Sequence, residues 1–266
     1  HSIVPSVSGQ ESYYIPALLV ASGTYYLRSR AHDNAGNLGS WQTVMSYNFQ
    51  TIGYNTRTGV EYGTIQKALD AAENGDTIQL YSGTITGDGN VGLLWPNKDG
   101  ITLQGAGAEL SALDAEQVTR HILEQSGISL TLKNLSLVRG SVATDDSGEN
   151  GGAILAQDST VITIDSCIIS GNRGAIGGAQ YDGNMRVINS KYASNTAYDV
   201  GGCFGDLTVT INNSTFEKNN AGRGGVFRNC TSYVYDSQII NNSATITKLG
   251  GSGGVVAIHG STNIEN

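Results

Sequence analysis

Between residues 164 and 242 one short pattern occurs four times, and this recurrence limits the fold more than any other feature of the chain. Ile164-Asp-Ser-Cys-Ile-Ile-Ser-Gly-Asn172 aligns with Val187-Ile-Asn-Ser-Lys-Tyr-Ala-Ser-Asn195. It aligns again with Ile211-Asn-Asn-Ser-Thr-Phe-Glu-Lys-Asn219 and with Val234-Tyr-Asp-Ser-Gln-Ile-Ile-Asn-Asn242. The closing asparagines are 23, 24 and 23 residues apart, and a less regular copy runs from Leu132 to Gly140. Glycine pairs share the period: Gly151-Gly152, Gly177-Gly178, Gly201-Gly202, Gly224-Gly225 and, after an insertion, Gly253-Gly254.

A repeat of this length is too short for a pair of helices and shows no helical apolar spacing. It fits one coil of three short strands and three corners, with successive coils stacked as parallel strands about 4.8 Å apart. Equivalent residues then lie above one another. Ile164, Val187, Ile211 and Val234 should form one inward column, and Ile169, Tyr192, Phe216 and Ile239 another. A single coil cannot bury its apolar face, whereas a stack can. Asn172, Asn195, Asn219 and Asn242 should stand at a corner, bonding amide to amide from coil to coil. A polar binding stripe is the functional alternative for that column.

Composition agrees. Among the 266 residues Gly is abundant at 36, Pro scarce at 3, and charged residues only 14%. Gly and Asn tolerate left-handed backbone, which tight corners need. The formal charge of −8, with no Lys/Arg cluster, argues against a nucleic-acid partner. No apolar run reaches the ~18 residues of a membrane span. Cys167, Cys203 and Cys230 are odd in number and match no zinc spacing, so they are expected as small core residues.

Ahead of the repeats, Thr64 to Gly75 reads as a short amphipathic helix. Ile65, Ala68, Leu69 and Ala72 share a face, with Thr64 as N-cap and Gly75 as the residue after the C-terminus. It would cover the open end of the first coil. A strand from Asp76 to Tyr81 and the segments Ile101 to Gly107 and Ile128 to Leu137 follow. Residues 1–52 differ in character. Tyr26, Arg28 and Arg30 alternate with Leu27, Ser29 and Ala31, Asp33 to Asn37 supplies a turn, and Thr43 to Phe49 is a second strand: a hairpin.

The Thr64 to Thr77 segment, Ile101 to Gly107 and the repeats together resemble the pectin-lyase-like right-handed parallel β-helix superfamily. Within it the repeats look most like polymorphic outer-membrane-protein-type surface repeats, through Gly151-Gly-Ala-Ile154 and Phe216-Glu-Lys-Asn219. The Leu19 to Tyr26 and Asp33 to Asn37 segments resemble the closing strands of bacterial fibronectin type III-like domains, with Tyr26 at the corner-tyrosine position. These resemblances imply an all-β chain. Residues 1–52 would be a partial β-sandwich, 53–63 a linker, and 64–266 a right-handed parallel β-helix with a capping helix over 64–75.

A scaffold of this kind hosts lyases, hydrolases, adhesins and inert stalks, so function has to be read from side chains. A lyase of the fold would need carboxylates for Ca²⁺ and a basic residue on one face; a hydrolase would need two or three acids in a cleft. The densest acidic stretch is Asp145-Asp146-Ser-Gly-Glu149, in an insertion. Asp145, Asp146 and Glu149 are therefore the candidate Ca²⁺ ligands, with a solvated loop as the alternative; no other cofactor is expected. Asp114, Glu116, Arg120 and His121 form a second, looser group best explained as turn residues. Within the repeats Arg173, Asp182, Arg186, Asp199, Asp206, Arg223 and Arg228 are scattered, and no carboxylate ladder is expected.

The reading that follows is an extracellular or cell-surface structural or adhesive protein, with other surface proteins or polysaccharide as partners. The alternative is a secreted polysaccharide lyase or glycoside hydrolase. The hairpin starts without the earlier strands of a sandwich, and Val255 to Ile258 reads as a strand near the end of the chain. The expectation is a segment of a longer surface polypeptide, or ends completed by neighbouring copies. Asn134, Asn212, Asn213, Asn229 and Asn241 begin Asn-x-Ser/Thr sequons.

Overall fold

The computed structural model describes residues 23–30, 35–125, 127–142, 150–157, 159–244, 256–257 and 262–265. The chain separates into residues 1–51 and 52–266. The first unit contributes one antiparallel hairpin, Gly23–Ser29 with Gln42–Phe49, with a bulge between Leu27 and Arg28. On it the Arg28 guanidinium lies 5.6 Å from the Tyr26 ring centre, and that of Arg30 lies 4.5 Å from Trp41.

The second unit is a parallel β-solenoid of about 7 turns. Its strands collect into four sheets. The long sheet has ten strands, from Glu61–Tyr62 and Gly53–Asn55 through Thr77–Leu80 to Thr262–Glu265. A second sheet of seven strands runs from Gly83–Ile85 to Gln238–Ile240, and a third, of two-residue strands, from Leu93–Leu94 to Val256–Ala257. A four-stranded sheet, Arg173–Ile176 to Ser243–Ala244, forms only in the later coils.

Both expected columns form. Ile164, Val187, Ile211 and Val234 are register partners on successive coils and are buried. Ile169, Tyr192 and Phe216 stack likewise and are buried, the Tyr192 and Phe216 rings 5.0 Å apart and nearly parallel. Phe204 and Phe227 extend the cluster. Ile239 continues the column but is only half-buried, because no described strand stacks beyond Gln238–Ile240 in that sheet.

Each glycine of a pair has its own reason. The first, as in Gly177 at φ 62° and Gly201 at φ 71°, is left-handed. The second lies against the next coil: a Cβ on Gly178 would stand 2.4 Å from the Gly202 carbonyl oxygen, and one on Gly202 2.1 Å from that of Gly225. No larger residue fits at a spacing set by strand pairing. Another corner turns through Asn134, Ser166, Asn189, Asn213 and Asp236 on successive coils, all with φ between 46° and 56°. Asn and Asp accept that conformation at lower cost than other side chains.

The capping helix spans Ile65–Ala71 and buries Ile65, Ala68 and Leu69, with the Thr64 hydroxyl accepting from the Lys67 amide. It ends earlier than the sequence suggests. Ala72 is its C-cap in extended conformation, and Gly75 takes φ 77° in the following turn. The Asp76 carboxylate organises that turn by accepting from the Glu73 amide, the Asn55 amide group and the Arg57 guanidinium. Residues 53–63, read from the sequence as a linker, carry two strands of the long sheet. Gly53–Asn55 pairs antiparallel with Thr77–Leu80 and with Glu61–Tyr62. The reversal ends the parallel stack, because a two-residue edge strand offers little backbone to another chain.

Candidate functional site

Asparagines at one corner of the coil form the most regular polar feature of the solenoid. Asn172, Asn195 and Asn219 are fully buried. The Asn172 Nδ2 donates to Asn195 Oδ1 at 3.0 Å, Asn195 Nδ2 to Asn219 Oδ1 at 3.0 Å, and Asn219 Nδ2 to Asn242 Oδ1 at 2.9 Å. Each of those oxygens also accepts the backbone N–H of the asparagine before it. The second Nδ2 proton goes to a carbonyl: Leu137 for Asn172, Ile169 for Asn195, Tyr192 for Asn219 and Phe216 for Asn242. From Asn195 onward these oxygens are each filled by two donors of the column, so it holds coils together; at its N-terminal end Asn172 Oδ1 accepts the Gly140 amide alone.

A serine column that the sequence reading did not single out works the same way. Ser190 Oγ accepts from the Cys167 amide, Ser214 Oγ from that of Ser190, and Ser237 Oγ from that of Ser214. Each hydroxyl donates to the carbonyl two residues earlier. The recurring Ser three places after the inward Val or Ile is the available signal. The three cysteines are free and buried. Burial pushes the Cys167 thiol up to about 12 and the Cys230 thiol up to about 11, so neither is a ready nucleophile.

Five carboxylates are spent on ion pairs between coils. Asp114 pairs with Arg139, Asp206 with Arg228, Asp199 with Arg223 at 3.0 Å, Glu217 with Lys191 at 2.9 Å and Asp165 with Lys133 at 3.5 Å. The partners are one coil apart in sequence, and that separation is the signal by which they could have been found. Asp114 is nearly buried; burial raises its pKa, but Arg139 and the Glu116 amide outweigh this and hold the carboxyl below its usual range. Asp206 also accepts from Asn229. Among the described residues no three His, Cys, Asp or Glu side chains come together as a metal site. The Ca²⁺ candidates Asp145, Asp146 and Glu149 lie outside the described residues. Of the second group, His121 is fully buried rather than in a cleft.

One open surface combines apolar and polar groups. On the outer face of the sheet of two-residue strands, Leu94, Leu123, Leu155 and Tyr181 are register partners on four successive coils. Leu94 is 53% exposed, and the other three are half-buried. Leu123 and Leu155 floor an open recess of about 490 Å³ whose walls include Thr119, Arg120, Gln125 and Asn150. The Asn150 Oδ1 is buried and has no hydrogen-bond partner. The strip ends where Gly205 follows Tyr181. A Cβ there would lie 3.1 Å from the tyrosine ring, so glycine leaves room for it. Of these residues the sequence reading had singled out only Arg120.

Comparison with protein-family models, with curated proteins and with solved structures gave no match. No helix among the described residues is long and apolar enough to cross a membrane.

Proposed function

We propose that this chain is a structural or adhesive solenoid of the cell surface or extracellular space, acting through its faces rather than through a catalytic centre. The observation that carries this reading is the use of its acids. Asp114, Asp165, Asp199, Asp206 and Glu217 are each tied to a cation on a neighbouring coil. A carboxylate held in that way is a poor general acid or base, because catalysis needs a proton that can leave and return near neutral pH. The same pairs, with the asparagine column, tie successive coils together beneath the surface that a scaffold or adhesin has to present.

The Leu94 to Tyr181 strip favours polysaccharide as a partner over a second catalytic reading. An apolar floor bordered by Arg120, Gln125 and Asn150 suits a hydroxyl-rich chain lying along the coil stack. The resemblance to polymorphic outer-membrane-type repeats points to the same surface role, and the fibronectin-like hairpin accords with secretion. The test is incubation with acidic and neutral polysaccharides, reading both retention and product release. Retention without new chain ends is expected, and Leu155→Asp should weaken it. Release of oligosaccharides that disappears in Asp145→Ala or Glu149→Ala would instead establish the lyase or hydrolase alternative.

A further inference from the structure

The asparagine column lacks a member at its N-terminal end. Gly140 is the residue in register with Asn172: Val138 pairs with Ser170 two places earlier. The Arg173 amide donates to the Gly140 carbonyl just as Thr196 donates to Asn172 and Asn220 to Asn195. An asparagine cannot stand there, because a Cβ would lie 2.3 Å from the Gly152 carbonyl oxygen. The space is filled from the opposite side of the coil. The same Cβ position is 2.7 Å from His121 Nδ1 and 2.8 Å from Asn172 Oδ1.

His121 does the missing amide's work. In every tier Nδ2 donates to the carbonyl three residues before the previous tier's ladder position. By that rule a side chain at 140 would reach Leu113. His121 Nε2 lies 3.0 Å from the Leu113 oxygen and 3.1 Å from that of Val138. Facing two acceptors, Nε2 has to carry the ring proton. Nδ1 then holds a lone pair, and it is buried with no partner. Asn172 Oδ1, for its part, accepts from the Gly140 amide at 2.7 Å but receives no ladder amide such as the later oxygens receive.

We propose that His121 is a surrogate first tier of the ladder and that it makes this end of the ladder an acid-sensitive latch: the neutral imidazole keeps the coils around residues 113–141 closed, and its protonation opens them before the asparagine-laddered coils. Protonation would put a new N–H at Nδ1, which has no hydrogen-bond partner, in a ring that is fully buried. The charged groups around it are already committed: Asp114 is held by Arg139, and Arg139 also feels Glu116. Burial wins and pushes the imidazole down to about 4, the Leu113 and Val138 carbonyls and Asp114 opposing it only in part. A histidine whose folded pKa is depressed contributes full stability above its unfolded value of about 6.5, and the contribution falls away as pH drops toward 4.

Residue-resolved hydrogen exchange on the whole chain tests this. After correction for the chemical exchange rate, linkage predicts about 20-fold more opening at pH 5 than at pH 7 for the Gly140, Ala115 and Gln117 amides. Those of Asn195 and Asn219 should not change over that range. His121→Gln supplies an amide donor at every pH and should flatten the response of the first three. An equal response in His121→Gln, or slower exchange in acid, would overturn the proposal. Should that variant fail to fold, imidazole NMR of the unaltered chain decides. A neutral Nε2–H ring persisting to about pH 4 is expected, and titration near 6.5 without added opening would contradict it.

Discussion

The early and late coils of the solenoid reach the same stacking by different means. From Lys133 back to Gln79 and forward to Asp165, register partners are separated by 25, 29 and 32 residues (Gln79, Gln104, Lys133, Asp165). Coils of unequal length cannot repeat one corner contact. They are fastened by single devices: Gln79 and Gln104 bonding side chain to side chain, Asp114 with Arg139, and His121 in the gap above Gly140. From Asp165 onward the steps to Ile188 and Asn212 are 23 and 24 residues. There an asparagine column, a serine column and a ring stack each run through several tiers. A constant coil length is what allows one residue type to do one job repeatedly. Where the length varies, each coil requires its own solution, and among these are titratable groups such as His121 and Asp114.

The largest effect should come from the regular half. Phe216→Ala removes a buried ring packed against Tyr192, Phe204 and Phe227 and should cost about 3–5 kcal/mol in denaturant unfolding. A loss under about 1 kcal/mol would mean that the late coils do not depend on that stack.

Next come the asparagines, and here position sharpens the contrast. Asn195→Ala removes the acceptor of the Asn172 backbone N–H and of one Asn172 Nδ2 proton, and the amide that donates to the Ile169 carbonyl, at a buried site, and should cost about 2–3 kcal/mol. The partly exposed Asn242 ends the described column, so Asn242→Ala should cost less than half as much. Equal losses at the two positions would show that burial does not set the strength of the column.

The smallest effect belongs to the cap. The Arg57 guanidinium, the Glu73 amide and Asn55 hold the Asp76 carboxyl well below the usual carboxylate range, against the opposing effect of burial. Its contribution is therefore complete above the unfolded value near 3.8 and fades as pH falls below it. Asp76→Asn should lower the melting midpoint at pH 7 by about 2–4 °C and by a smaller amount at pH 2, because the contribution disappears only as pH falls through the folded value. That window lies below the one in which His121 acts, so acid titration separates cap from latch.

The late coils were legible in the sequence because their repeat is nearly exact. Ile164 to Val234 and Asn172 to Asn242 could be aligned by eye, and the alignment fixed which residues stack. The early coils were not, since unequal spacing hides register. Nothing local tells that Gly53–Asn55 turns back to close the long sheet, or that His121 reaches the position of Gly140. The candidate surface was the least legible part. Leu94, Leu123 and Leu155 lie in unlike contexts and become a strip only through pairing of two-residue strands. The acidic stretch that drew attention in the sequence, Asp145 to Glu149, lies outside the described residues.

The central claim is that buried asparagine amides link one coil to the next. Hydrogen exchange of the asparagine side-chain amides, followed residue by residue at neutral pH, tests it most directly. The Nδ2 protons of Asn172, Asn195 and Asn219 should be protected together with their backbone N–H groups, while those of the exposed Asn241 exchange freely. Exchange of Asn195 and Asn219 as fast as that of Asn241 would contradict the account.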